Sequence, residues 1–172
     1  MEHLNKIISD SAQKGLILGL ALIVFTTLIY VSGIALFGFA SIFIMVVVFG
    51  GEIAYTLIME KKFRNSIGGK ISFLQLLVYG FVLLIVAALI SSIFNYVLYS
   101  LIDPTYLDLQ VEQFMENMSE YVSEDQLYEM SSKMEESVHD MKNLGAILLK
   151  AWIGPVVIAL IMALIVKKDI NE

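Results

Sequence analysis

Four long runs of apolar residues dominate the chain, and clusters of charged residues separate them. The runs cover about residues 15–32, 39–60, 72–101 and 146–166. A helix needs about 20 residues to cross a hydrocarbon core of about 30 Å, and each run is near or above that length. The alternation expected of a barrel strand is absent, and open sheet edges are not viable in lipid. The pattern therefore predicts an all-α integral-membrane bundle of four transmembrane helices.

The turns and breaks of this bundle are also predicted by the sequence. Ser32, Gly33 and Gly38 offer a tight turn between the first two runs. The third run is longer than the bilayer requires, so its helix is expected to tilt or protrude. The fourth run contains Pro155, which lacks an amide hydrogen and crowds the carbonyl four residues back. A kink is therefore predicted at Ala151.

The segment 103–144 is the one sizeable part outside the apolar runs, and it predicts two amphipathic helices. Asp103, followed by proline, favours the start of the first helix. Ser123 and Gln126 form a capping-box pattern that opens the second. Apolar residues then recur at helical spacing: Leu107, Val111, Phe114, Met118 and Tyr121, and afterwards Leu127, Met130, Met134, Val138 and Met141. We expect the two helices to pack on each other or on the outer membrane surface.

Composition and charge indicate one membrane domain, 1–172, and give it an orientation. The chain is 58% hydrophobic and 16% charged, whereas about 25% of residues are charged in a typical soluble domain. Segments rich in lysine and arginine stay in the cytoplasm. Such residues flank the runs at one side: Lys6, Lys14, Lys61, Lys62, Arg64, Lys70, Lys167 and Lys168. The segment 103–142 carries eleven acids and two lysines, so we expect it outside and both termini in the cytoplasm.

The first run has a competing interpretation as a cleaved signal peptide. Gly38 and Ala40 fit a small-x-small cleavage site. The region before the run has no net positive charge, because Glu2 and Asp10 offset its two lysines. We therefore expect the first run to remain as a transmembrane helix.

Polar residues inside membrane spans are functional candidates, because placing them there is costly. The candidates are Glu52, Gln75, Asn95 and Lys150. Glu52 lies in the cytoplasmic third of its helix, where Gln75 or Tyr79 could hydrogen-bond to it. Glu52 is either a polar anchor that faces the bundle or a proton or cation relay. Lys150 can extend to the outer interface, at about the level of Asn95.

The segment 103–144 carries two further patterns with more than one interpretation. Acidic residues recur every four positions from Asp108 to Glu124, which forms a solvated face or a site for cations or a basic partner. Its methionines, with His139, are soft ligands of the kind that select Cu(I). Methionine also fills irregular cores well, and these residues occupy the apolar stripe, which favours a core.

Motifs for catalysis or cofactor binding are absent from the sequence. There is no cysteine, no Walker loop and no pair of histidines at metal-ligand spacing. We expect no enzyme activity, no cofactor, no metal and no nucleic-acid partner. Small residues at four-residue spacing permit close helix contact within the bundle, with a protein partner or with a second copy. They are Ser11, Gly15 and Gly19; Ala87 and Ser91; Ala88 and Ser92; and Ala159 and Ala163.

Several stretches together resemble one protein family. They are "KGLILGL" at Lys14, "KKFRNSIGGKISFLQ" at Lys61, "SLIDPTYL" at Ser100, the acidic methionine-rich segment and the final "VKK". The pattern is similar to a bacterial family of small four-helix membrane proteins, found mainly in Gram-negative bacteria and known only as a domain of unknown function. The resemblance implies the bacterial cytoplasmic (inner) membrane. It implies no activity and no site residues.

These observations favour a non-enzymatic accessory or scaffold subunit of the inner membrane. Its acidic outer segment or its small-residue helix faces would meet a protein partner or a second copy. The alternative, from another functional class, is a small oligomeric transporter or channel that uses Glu52. A polar stripe facing a cavity would favour the transporter, and a closed apolar bundle would favour the accessory role.

The predicted orientation can be tested with single cysteines, since the chain has none of its own. Cysteine is introduced at Asn65 or at Ser131, and cells with a permeable outer membrane are treated with an impermeant thiol reagent. We expect labelling at position 131 and protection at position 65. The reverse result would reject the orientation.

Overall fold

The computed structural model describes residues 2–69 and 71–168, with the backbone alone at residues 2, 3, 39, 40 and 166–168. Within these ranges the chain forms seven α-helices, a π-helical segment and no strand. The elements are α1 (Glu2–Ser32), α2 (Phe39–Ser66), α3 (Phe73–Tyr96), the π-helical segment (Val97–Ile102), α4 (Tyr106–Met118), α5 (Glu124–Lys142), α6 (Leu144–Lys150) and α7 (Ile153–Lys168).

Four stretches of the described chain are helical, long and apolar enough to cross a membrane. They are Leu4–Ser32, Ser41–Ser66, Phe73–Ile102 and Leu144–Ile165. The prediction of an all-α chain with four apolar helices of spanning length is therefore confirmed.

Two helix boundaries differ from the sequence prediction. The helix of the first span begins at Glu2 rather than near residue 15, and α2 continues to Ser66 rather than ending near residue 60. The limits of an apolar run mark where lipid contact is expected to end. Lysine, glutamate and arginine are good helix formers, so a helix continues through charged sequence beyond that limit.

The fourth span is broken where proline predicts it. α6 ends at Lys150 and α7 begins at Ile153. Pro155 cannot donate a hydrogen bond to the carbonyl of Ala151. The last helical backbone hydrogen bond before the break is the one that the Ala151 amide donates to the Ile147 carbonyl at 2.9 Å.

Helix α3 forms the centre of the bundle. It packs against α1, α2 and α7, and 39% of its most apolar stretch is buried, against 6% for α2. Its buried residues are Leu76, Tyr79, Gly80, Leu83, Leu84, Ile85 and Ala87. The middle of the bundle is therefore filled by α3, whereas α2 lies at the periphery with most of its apolar surface exposed.

Glycines bring α1 into close contact with α3. A Cβ at Gly15 would lie 2.3 Å from the carbonyl oxygen of Leu83, and one at Gly19 would lie 3.2 Å from the Cα of Ala87. Ala159 and Ala163, on α7, are also fully buried. Many of the small residues seen in the sequence therefore serve contacts within this chain.

Helices α4 and α5 cover one end of the bundle, which we call the hairpin end. A cluster of Leu98, Tyr99, Leu107, Val111 and Val138 joins them to the π-helical segment, with Met115 and Met134 packed against it. The turn between α1 and α2 is attached as well, since the amide of Leu36 donates to Gln110 Oε1 at 2.9 Å. Two of the methionines thus contribute to a core.

The two predicted helix starts in this region have different outcomes. Ser123 and Gln126 form the capping box, with the Ser123 amide donating to Gln126 Oε1 at 3.2 Å. The prediction that Asp103 caps the start of α4 is wrong, because α4 begins at Tyr106. Asp103 instead accepts a hydrogen bond from the Tyr30 hydroxyl at 3.0 Å. This tertiary contact ties α1 to the chain after α3.

The contact between α1 and α3 generates a test with a matched control. Gly15→Ala places a methyl group against backbone that cannot move aside, so it should destabilise the protein by about 1–3 kcal/mol. Gly50→Ala, on α2, meets nothing within 4 Å and should have little effect. Unfolding of the purified protein in mixed micelles, followed by circular dichroism, measures both. Equal stability of the two variants would contradict the packing described.

Candidate functional site

Glu52 lies on a groove between α1 and α2. The groove section beside it has a volume of about 280 Å³. Its walls are otherwise almost wholly apolar: Leu18, Ala21, Leu22 and Phe25 from α1, and Val47, Val48, Gly51 and Tyr55 from α2. The Glu52 side chain makes no hydrogen bond or ion pair with any residue that the structure describes. Glu52 is thus a half-buried acid on an apolar groove.

The partners expected for Glu52 are engaged elsewhere. Gln75 Oε1 accepts from the amide of Ser72 at 2.8 Å and caps the start of α3. The Tyr79 hydroxyl donates to Asp10 Oδ2 at 2.6 Å. Asp10 lies on the part of α1 that precedes the apolar run. Because the sequence predicts a helix only from about Gly15, it does not predict this contact.

The groove continues in both directions from Glu52. Toward the end of the bundle opposite the hairpin end, a cavity of about 370 Å³ shares Tyr55 with it and is also lined by Lys14 and Lys62. Toward the hairpin end, a cavity of about 420 Å³ shares Phe25 and Val47 with it. Helices α1 and α2, although consecutive in the chain, are therefore separated by a groove along most of the span. The Tyr55 hydroxyl bridges them at one point, where it donates to the Lys14 carbonyl at 3.2 Å.

Glu60 is a second acid within a candidate membrane span, and the apolar run predicted from the sequence ends at it. Its side chain is fully buried, and both carboxylate oxygens lack a hydrogen-bond partner within the described chain. Its Oε1 lies 2.5 Å from the position that a Cβ on Gly80 would occupy. The missing side chain of Gly80 is the notch that receives the Glu60 carboxyl group.

A periodic signal for Glu60 was present in the sequence. Glu52, Thr56, Glu60 and Arg64 recur every four residues, a spacing that places them along one side of a helix. Thr56 is fully buried, and Nη1 of Arg64 is enclosed without a partner in the described chain. The side of α2 with Thr56 and Glu60 packs inward, whereas Glu52 lies further along the helix, on the groove.

Asn95 and Lys150, two of the four candidates, line one cavity. It has a volume of about 430 Å³ and lies between α3, α5 and α6 at the hairpin end. Lys150 forms an ion pair with Asp140 at its edge. Asn95 Oδ1 is enclosed and has no hydrogen-bond partner within the described chain. The structure thus places Asn95 and Lys150 at one cavity, whereas Glu52 and Gln75 lie elsewhere.

The acidic segment forms an open groove of about 860 Å³ between α4 and α5. Asp108, Glu112, Glu116 and Glu135 line it, and Lys142 pairs with Asp108 at 2.7 Å. On the outside of α5, a hydrogen bond from Lys133 lowers the pKa of Glu129. Among the described residues, no group of three or more histidines or carboxylates could hold a metal ion.

Comparison with known proteins identifies the family. A model of a family described as proteins of unknown function (DUF4199) matches residues 13–168. The chain belongs to this family. The resemblance seen in the sequence to a family of unknown function is thereby confirmed. No curated protein and no solved structure matches the chain significantly.

The contact between Glu60 and Gly80 can be tested by a double-mutant cycle. Gly80→Ala should destabilise the protein, because its methyl group overlaps the carboxyl group of an enclosed side chain with little room to move. The other neighbours of that methyl group lie at 3.6 and 3.7 Å, which is ordinary contact. In a Glu60→Ala background the cost should fall by at least about 0.5 kcal/mol. Additive costs in micelle unfolding would show that the two residues do not share this space.

Proposed function

We propose that this protein is a non-enzymatic accessory subunit of the bacterial inner membrane that holds a transmembrane helix of a protein partner. The partner helix lies in the groove between α1 and α2, and a basic side chain on it pairs with Glu52. The observation that carries the proposal is the position of Glu52, half-buried on an apolar groove and without a partner among the described residues.

The energetics of an acid in lipid support a charged partner. A charged side chain at the centre of a membrane helix costs about 2.5–3.5 kcal/mol on insertion scales, and less in the cytoplasmic third, where we expect Glu52. Intramembrane charges are therefore rare, and they pair with one another or face protected sites. A lysine or arginine on a second helix would neutralise Glu52, and the apolar groove walls would pack around that helix.

Small residues at the groove support a helix as its occupant. Ala21 lines one wall and Gly51 the other. Gly50 and Gly51 each have open space where a side chain would be. Without a hydrophobic driving force between helices in lipid, association depends on close backbone approach at such residues. The exposed apolar surface of α2 extends the area available for contact.

The transporter alternative is less well supported by the same geometry. A relay at Glu52 requires further polar groups that lead across the membrane, yet the groove beside Glu52 is almost wholly apolar and α3 fills the middle of the bundle. The other buried acid, Glu60, is enclosed against Gly80. These features favour a packing surface over an ion path.

Site-specific photo-crosslinking in the native host tests the proposal. A photo-reactive amino acid replaces Val48 on the groove wall, or Leu164, which is 60% exposed on α7, as the control. We expect a protein adduct at position 48 that is absent at position 164. We also expect the adduct to be lost in Glu52→Leu and kept in Glu52→Asp.

Identification of the captured protein decides between the two functions. The proposal requires a partner helix with a lysine or arginine in its span, whose replacement by leucine abolishes the adduct. Adducts with lipid alone, or equal protein adducts at both positions, would contradict it. Ion flux in vesicles of the purified protein, lost in Glu52→Gln, would establish the transporter instead.

A further inference from the structure

The cavity between α3, α5 and α6 combines opposite charges with apolar walls. We call it the interfacial cavity; it is lined by Ser92, Asn95, Tyr99, Ser137, Asp140, Met141, Ile147, Lys150 and Ala151. Its volume of about 430 Å³ lies within the range of small-molecule sites. It lies at the hairpin end and is separate from the groove that Glu52 lines.

The charged groups of the interfacial cavity match a zwitterion. Lys150 offers an ammonium group and Asp140 a carboxylate, and the two sit together at the edge of the cavity. The Lys150 side chain is 63% exposed and that of Asp140 is 31% exposed, so a ligand can reach both. A molecule with an anionic group beside a cationic group would place the first on Lys150 and the second on Asp140. The complex would then carry no net charge.

The hydrogen-bonding capacity of Asp140 narrows the cationic part of the ligand. The Asp140 carboxylate is an acceptor that lines the cavity, and its side chain is partly exposed. A primary ammonium carries three N–H donors and can donate to it, whereas a quaternary ammonium carries none.

The position of the cavity indicates that the ligand is a lipid. α3 and α6 belong to the third and fourth apolar spans, so the cavity lies where a span meets the end of the bundle. Met141, Ile147 and Ala151 give it apolar walls beside the charged edge. We propose that the interfacial cavity binds the head group of a phospholipid that carries a primary amine next to its phosphate, as in an ethanolamine phospholipid. Lys150 binds the phosphate, and Asp140 accepts from the ammonium.

Lipid competition on the wild-type protein tests the proposal without any substitution. The protein is purified in detergent, and bound lipids are counted by native mass spectrometry. The probes are phospholipids with identical chains and an ethanolamine head group bearing zero, one, two or three N-methyl groups. Binding should fall at each methylation. We expect at least about a tenfold loss across the series, the factor set by one charge-assisted hydrogen bond.

Variants test whether the selectivity for the primary amine arises at this cavity. Asp140→Asn and Lys150→Gln should each remove the preference for the primary amine. Asp108→Asn serves as the matched control, since it breaks another exposed lysine–aspartate pair outside the interfacial cavity, and it should keep the preference. Circular dichroism confirms that each variant is folded, and the methylation series on the wild-type protein remains decisive if one is not.

Two results would overturn the proposal. Equal binding across the methylation series would remove the role of the amine. Displacement of the lipid by soluble phosphoethanolamine at equal concentration would show that the head group alone is the ligand, taken from water rather than from the membrane.

Discussion

The close approach of α1 to α3 is the contact on which the rest of the arrangement depends. At Gly15 the two backbones lie too close for any side chain. In lipid, where apolar side chains gain nothing by leaving the solvent, contact of this kind holds helices together. It makes α3 the central helix and places Asp10 beside Tyr79. Because α1 is held against α3, a groove remains between α1 and α2.

The polar groups of the candidate membrane spans lie in three different environments. Glu60 is sealed against Gly80 and contributes to the interior. Glu52 lies on an apolar groove that is open for another helix. Asn95 and Lys150 lie at a polar cavity near the end of the spans. These residues do not form one path across the membrane, which favours the proposed binding of a protein and a lipid over transport.

Much of the fold could be predicted from local sequence, and much of the candidate site could not. Apolar length predicted the four helices, Pro155 the break in the last span, and Ser123 with Gln126 the start of α5. These depend on interactions within a few residues. The bond between Asp10 and Tyr79 depends on which faces of distant helices meet. The enclosure of Glu60 could have been suspected from its spacing with Glu52, but only the packing of Gly80 shows it.

Disulfide trapping in native membranes tests most directly whether α1 packs on α3 and is separated from α2 by the groove. One variant carries Gly19→Cys with Ala87→Cys, across the α1–α3 contact, where a Cβ at position 19 would lie 3.2 Å from the Cα of Ala87. The other carries Ala21→Cys with Val48→Cys, on opposite walls of the groove. Mild oxidation should link the first pair rapidly and leave the second pair free. Rapid linkage of the second pair, with the first unlinked, would contradict the account.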